Sequence, residues 1–115
     1  MEELEMLKGI LNSYPYPIVF VDNEYIIRFM NTNAKYHYYE ERCYKDLIGK
    51  SLFDCHSDEK SIERIKKGYE GIKRNGKEMF VCVTTRNQRV YMQGVKSEKG
   101  DWIGFIERFE LNLEL

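Results

Sequence analysis

Proline is nearly absent from this 115-residue chain. Pro15 and Pro17 are its two prolines, and together they mark one place where a helix must stop. Cysteine is scarce and odd in number: Cys43, Cys55 and Cys82 include no close pair, which argues against a disulfide framework. No apolar run approaches the roughly 20 residues that a membrane-spanning helix needs, so no membrane partner is expected. Neither sign of charge dominates, since 18 basic residues face 19 acidic ones and the net charge is −1. That balance removes the electrostatic case for nucleic acid or an anionic membrane. Met1 is followed by Glu2 and Glu3 rather than by a basic leader, so a reducing, cytoplasmic location is expected.

Motifs that carry catalysis are missing as well. Acyl transfer needs a nucleophile with a base and an oxyanion hole, and no G-x-S-x-G run is present. Gly68, Gly71 and Gly76 lie on or after a helix and do not fit a phosphate loop. A zinc site from His37, Asp54, Cys55 and His56 is not expected, because adjacent residues rarely point at one metal. The chain therefore reads as a non-enzymatic module.

What is present is a single domain able to bury roughly 65% of its unfolded surface. Nine tyrosines and six phenylalanines suit an aromatic core or an aromatic pocket. The richest segment is PIVFVDNEYIIRFMNTNA, Pro17 to Ala34. Val19 and Val21 alternate with Ile18 and Phe20, the chain turns at Asp22-Asn23-Glu24, and Tyr25 to Met30 form a second β-rich run. A hairpin apolar on both faces must be covered on both, which favours a binding module.

Before the hairpin, Glu3 to Ser13 reads as an amphipathic helix. Leu4, Leu7, Leu11 and Tyr14 share a stripe that Ile10 widens. The stripe either lies on its own domain or packs against a second subunit, and Leu4, Leu7, Ile10 and Leu11 are the candidate dimer contacts. After the hairpin a short aromatic helix is expected over Asn31 to Tyr39, then one helical turn over Asp46 to Ser51 closed by Gly49. Ser57 or Asp58 caps a longer helix to about Arg74, with Ile62, Ile65, Tyr69 and Ile72 on one face. Glu63 with Lys67, and Glu70 with Arg74, are favourable pairs on its solvated side, and Asn75-Gly76 stops it. Three strands follow, over Lys77–Thr85, Arg89–Lys96 and Trp102–Phe109, joined by short turns that make them antiparallel. The expected architecture is an α+β fold: a five-stranded antiparallel sheet with helices covering one face, plus the N-terminal helix. The division is 1–14 for that helix, 15–110 for the domain and 111–115 for a tail.

The ordered set of these segments resembles the PAS domain family, small sensor modules of signalling proteins. PYPIVFVDNEYIIRFMN is similar to the opening hairpin, Asn31 and Ala34 of NTNAKY to the start of the first internal helix, and DLIGKSLFD to the short helix with its L-I-G-K signature. Gly104, Phe105 and Glu107 resemble the last strand. LIGKSLFDCH looks like a subgroup of small bacterial and archaeal members. The resemblance implies a sensor or interaction module that dimerises and signals to a downstream protein, with a ligand held between sheet and helices or that space filled by side chains.

Cys55-His56 is the main chemical candidate. It precedes a helix N-terminus, which favours an anion or thiolate. In the alternative reading, a haem- or other cofactor-binding gas or redox sensor, His56 ligates iron as histidines of haem-binding relatives do. The bland reading makes Cys55 a small buried hydrophobe and His56 a local hydrogen-bonding group. Light-oxygen-voltage members carry G-x-N-C-R-F-L-Q at the short helix. Here leucine stands at the place of the adduct-forming cysteine, so a flavin–thiol photocycle is not expected, and the cofactor stays unassigned. If a small molecule is bound, the expected ligand residues are Asn31, Tyr36, Phe53, Cys55, His56 and Tyr69.

Overall fold

The structure, a computed structural model, describes residues 1–54 and 58–113. Helix α1 spans Glu3–Ser13. Strands β1, Ile18–Asp22, and β2, Ile27–Met30, form the opening hairpin. Helix α2, Thr32–Lys35, runs directly into a π-helical turn, Tyr36–Glu41. A 3₁₀ turn covers Leu52–Asp54, and helix α3 spans Glu59–Asn75. Strands β3, Met79–Val83, β4, Gln88–Lys96, and β5, Trp102–Leu111, complete one antiparallel sheet in the order β2-β1-β5-β4-β3. The two ends of the chain thus meet at the centre of the sheet, where β1 pairs with β5. The long connection from β2 to β3 carries the helices that cover one face, as the α+β reading expects. Among the described residues no helix is long and apolar enough to cross a membrane.

Alternation along the central strands builds the core. Val19 and Val21 on β1, Met92 on β4 and Phe105 on β5 are buried against Ile27, Met30, Ala34, Tyr69 and Ile72. Each such side chain stabilises the fold by about 1.5–3 kcal/mol. Helix α3 begins at Asp58, whose carboxylate accepts from the Lys60 amide at 3.1 Å, and ends at Gly76, in the left-handed conformation at φ 71°. Ser57, the other expected cap, lies outside the described residues. Gly104 at φ 151° is required for another reason: a Cβ there would run into the Val21 carbonyl oxygen of the neighbouring strand.

Four local expectations are corrected. The second strand starts at Ile27, not Tyr25, because Asp22 Oδ1 accepts from the amides of Glu24 at 2.9 Å and Ile26 at 3.0 Å. Those bonds curl the turn and hold Tyr25 at φ 62°. The expected helix over Asn31–Tyr39 is four residues of α-helix, with Asn31 as its cap, followed by the wider π-helical turn. The stretch 46–51 is not a helical turn. Its one local backbone bond, from the Lys50 amide to the Leu47 carbonyl at 3.1 Å, closes a simple turn at Gly49, and the hairpin takes others: the Ile27 amide donates to the Lys50 carbonyl at 2.9 Å and the Gly49 amide to the Ile27 carbonyl at 2.7 Å. On α3, Glu63 pairs with Lys67 as expected, but Glu70 reaches Lys73, one residue short of Arg74.

Candidate ligand-binding cavity

Between the helices and the β3–β5 half of the sheet lies a cavity of about 520 Å³. Its floor is apolar, made by Met79 and Val81 of β3, Val90 and Met92 of β4, and Phe109 of β5. Ser61, Arg64 and Ile65 of α3 form one wall; His37 and Tyr38 of the π-helical turn, with Arg42 and Tyr44 beyond it, form the other. A π-helical turn is rare, and frequently sits at functional sites. Cys82, Thr84 and Thr85 close the β3 side.

The strand period puts Glu107 into this floor. Phe105 and Phe109 point toward the helices, so Glu107, midway between them, must do so too. The residue is half-buried, and it lines the cavity. It also borders a void of about 20 Å³ beneath Tyr38, lined by Val19, Met30 and Leu47. Among the described residues no cation or hydrogen-bond donor partners it. Partial burial raises its pKa from 4.5 to about 7, with no cation to pull it back.

The cationic groups lie elsewhere in the same space. The Arg42 guanidinium stands 5.2 Å from the Tyr44 ring centre and 5.9 Å from that of Tyr38. Arg64 donates to the Val81 carbonyl at 2.6 Å, which fixes it over β3. His37 sits edge-on to Phe109 with ring centres 5.4 Å apart, and its Nδ1 lies 3.4 Å from Glu41 Oε1. Glu41 in turn pairs with Arg86 of the β3–β4 turn, so an ion pair joins the π-helical turn to the rim.

The ligand residues expected from sequence do not gather here. Asn31 is fully buried, but its Oδ1 accepts from the amides of Ile18 and Ala34, both at 2.9 Å, and its Nδ2 donates to the carbonyls of Tyr16 at 3.0 Å and Leu11 at 3.1 Å. All four positions go to backbone, so Asn31 staples the fold. Tyr69 is a core residue whose hydroxyl donates to Asn23 Oδ1 at 2.5 Å and whose ring packs on Phe105. Phe53 packs against Tyr25 with ring centres 5.0 Å apart, and Tyr36 is 60% exposed. None of the four lines the cavity. Cys55 and His56 lie outside the described residues. The residues that sequence reasoning missed are Glu107, Arg42 and Arg64.

The family profile described as PAS domain matches residues 7–109. The chain belongs to the PAS domain family. This PAS domain is similar in structure to the C-terminal domain of a protein from Streptococcus mutans, with 22% identity, coverage of 93% of this chain and 83% of that one, and a TM-score of 0.71. It is also similar to the PAS domain of a protein from Colwellia psychrerythraea, at 13% identity, 95% and 96% coverage and a TM-score of 0.66. A sensory box sensor histidine kinase from Vibrio cholerae matches at 16% identity, 93% and 87% coverage and a TM-score of 0.59. At these identities the structural matches speak for the fold. No curated protein matches the chain.

Proposed function

We propose that this PAS domain is a sensory module: it binds a small molecule in the cavity and passes the change to a second copy of itself through α1, and so to a downstream signalling protein. The observation that carries the reading is a continuous path from cavity wall to N-terminal helix, covalent from the π-helical turn to α2 and hydrogen-bonded from α2 to α1. His37 and Tyr38 of the wall lie on the π-helical turn, which continues α2. The start of α2 is tied to α1 and its exit by Asn31 to the Leu11 carbonyl, the Thr32 amide to Asn12 Oδ1 at 3.1 Å, and Asn33 to the Tyr14 carbonyl at 3.0 Å. A ligand that favours one arrangement of the turn shifts the position of α1 by its difference in affinity for the two arrangements. The second copy is supported by α1 itself. It has no buried residue, and Leu4, Leu7, Ile10 and Leu11 are exposed along one stripe that two copies can pair.

Native mass spectrometry of freshly purified protein tests this reading. The expected result is a dimer mass carrying a small molecule that is released on denaturation. A bare monomer at every concentration, unchanged by a metabolite extract, overturns it.

A further inference from the structure

The charges that line the cavity are segregated. Glu107 sits on β5, the central strand, with no partner among the described residues. Arg64 is anchored over β3, two strands away, by its bond to the Val81 carbonyl. Neighbouring strands lie about 4.8 Å apart, so the acid and this guanidinium are separated by roughly 10 Å across the sheet. The register places Met92 opposite Glu107, and Met79 opposite Met92, so the row that leads from Glu107 across to β3 is made of thioether side chains. Val90 and Val81 extend the same apolar strip. Arg42 stands on the opposite wall, against Tyr38 and Tyr44, and neither arginine has an acidic partner among the described residues. Burial alone accounts for the raised Glu107 pKa; no cation pulls it back, as separation across the cavity requires.

A half-buried carboxyl group without a cation has lost part of its solvation with nothing in return, and the apolar floor beside it is left open. A ligand relieves both only if its ends differ. We infer that the cavity takes an elongated bipolar molecule: an ammonium or other cationic N–H donor at Glu107, an apolar or aromatic body over Met92 and Val90, and a carboxylate at Arg64. An N–H donor at Glu107 supplies the missing partner, and a guanidinium offers a carboxylate two parallel donors. Glu107 disfavours an anion at its end and the Arg64 guanidinium a cation at the other, so orientation is fixed by repulsion as well as attraction.

This inference rests on the sensor reading, and its test separates the two. Isothermal titration calorimetry would compare para-aminomethylbenzoate, whose charges stand on opposite sides of a benzene ring, with its two halves, benzylamine and para-toluate. The bipolar probe is expected to bind at least about tenfold tighter than either half. Glu107→Gln and Glu107→Met, each checked for folding by circular dichroism, should reduce it to the affinity of para-toluate. Arg64→Gln should reduce it to that of benzylamine. Equal affinity of the bipolar probe and one half, or indifference to both Glu107 variants, overturns the bipolar ligand while the sensor reading stands. Failure of all three probes to bind also overturns it, and retention of a native small molecule in the mass spectrum then keeps the sensor reading alive.

Discussion

Asn31 Nδ2 donates to the Leu11 carbonyl oxygen at 3.1 Å, and that bond joins the first residue beyond the opening hairpin to the last full turn of α1. The same side chain caps α2 through the Ala34 amide and holds the Ile18 amide at the start of β1. One fully buried amide therefore fixes three elements at once.

Asn31→Ala leaves two amides and two carbonyls without these partners in a site closed to water. The expected cost is about 2–4 kcal/mol, read from the midpoint of urea unfolding. Asn31→Asp should rescue little, because its second oxygen would face the carbonyls of Leu11 and Tyr16. A cost below about 0.5 kcal/mol for the alanine variant would sink the staple role.

Two glycines should respond in opposite directions to alanine. At Gly104 the backbone is left-handed and a Cβ would meet the Val21 carbonyl, so Gly104→Ala should destabilise by more than about 2 kcal/mol. At Gly9, on exposed α1, nothing lies within 4 Å of the added carbon. Gly9→Ala should be neutral or stabilise by up to about 1 kcal/mol. Thermal unfolding of both variants checks the pair; similar midpoints would contradict it.

The sequence patterns were strong where one local signal decided the outcome. The leucine stripe, the Pro15 stop, the Asp58 cap and the Gly76 stop each belong to a few neighbouring residues, and each appears in the fold. The stretch 46–51 misled because its backbone partners, Tyr25 to Ile27, are distant in sequence. Asn31 and Tyr69 misled because a polar group in an apolar setting suits a pocket or a core equally well. What decides is the set of partners, and those come from α1 and from the hairpin turn. Glu107 was within reach. The alternation of Ile103 and Phe105 with their neighbours, carried two steps further to Phe109, puts one acid on an otherwise apolar face of the strand. Arg42 and Arg64 were not, since only the folded chain shows which arginines lie over the sheet.

The α1 stripe gives a prediction that keeps folding and association apart. None of its residues is buried, so Leu7→Asp with Ile10→Asp should leave the circular dichroism spectrum and thermal midpoint nearly unchanged. By size-exclusion chromatography with light scattering the unaltered protein should be a dimer and the double variant a monomer, because a charge in an apolar interface is costly. A dimer that persists in the variant places the interface elsewhere.

Glu107 gives stability a defined pH dependence. Its pKa is 4.5 unperturbed and about 7 when folded, because burial penalises the carboxylate. Between those values the folded state keeps a proton that the unfolded state has lost, so stability must fall as pH rises. The contribution is fully present below 4.5 and is gone above about 7. At 1.36 kcal/mol per pKa unit the change amounts to at most about 3 kcal/mol. Asp22 does not confuse the measurement. Burial would raise its pKa, but the Arg28 bond and the amides of Ile26 and Glu24 hold it below 3.8, so its own loss of stability falls at lower pH. The other titratable or charged groups lining the cavity are His37, Tyr38, Arg42, Tyr44, Arg64 and Cys82, and all are retained in Glu107→Gln. Urea unfolding at about pH 5 and about pH 8 should therefore show a loss of stability in the unaltered protein that shrinks by about 2–3 kcal/mol in the variant. A variant with the same slope would mean that the Glu107 carboxylate is solvated in the fold, and an acid already solvated has no need of a cationic ligand.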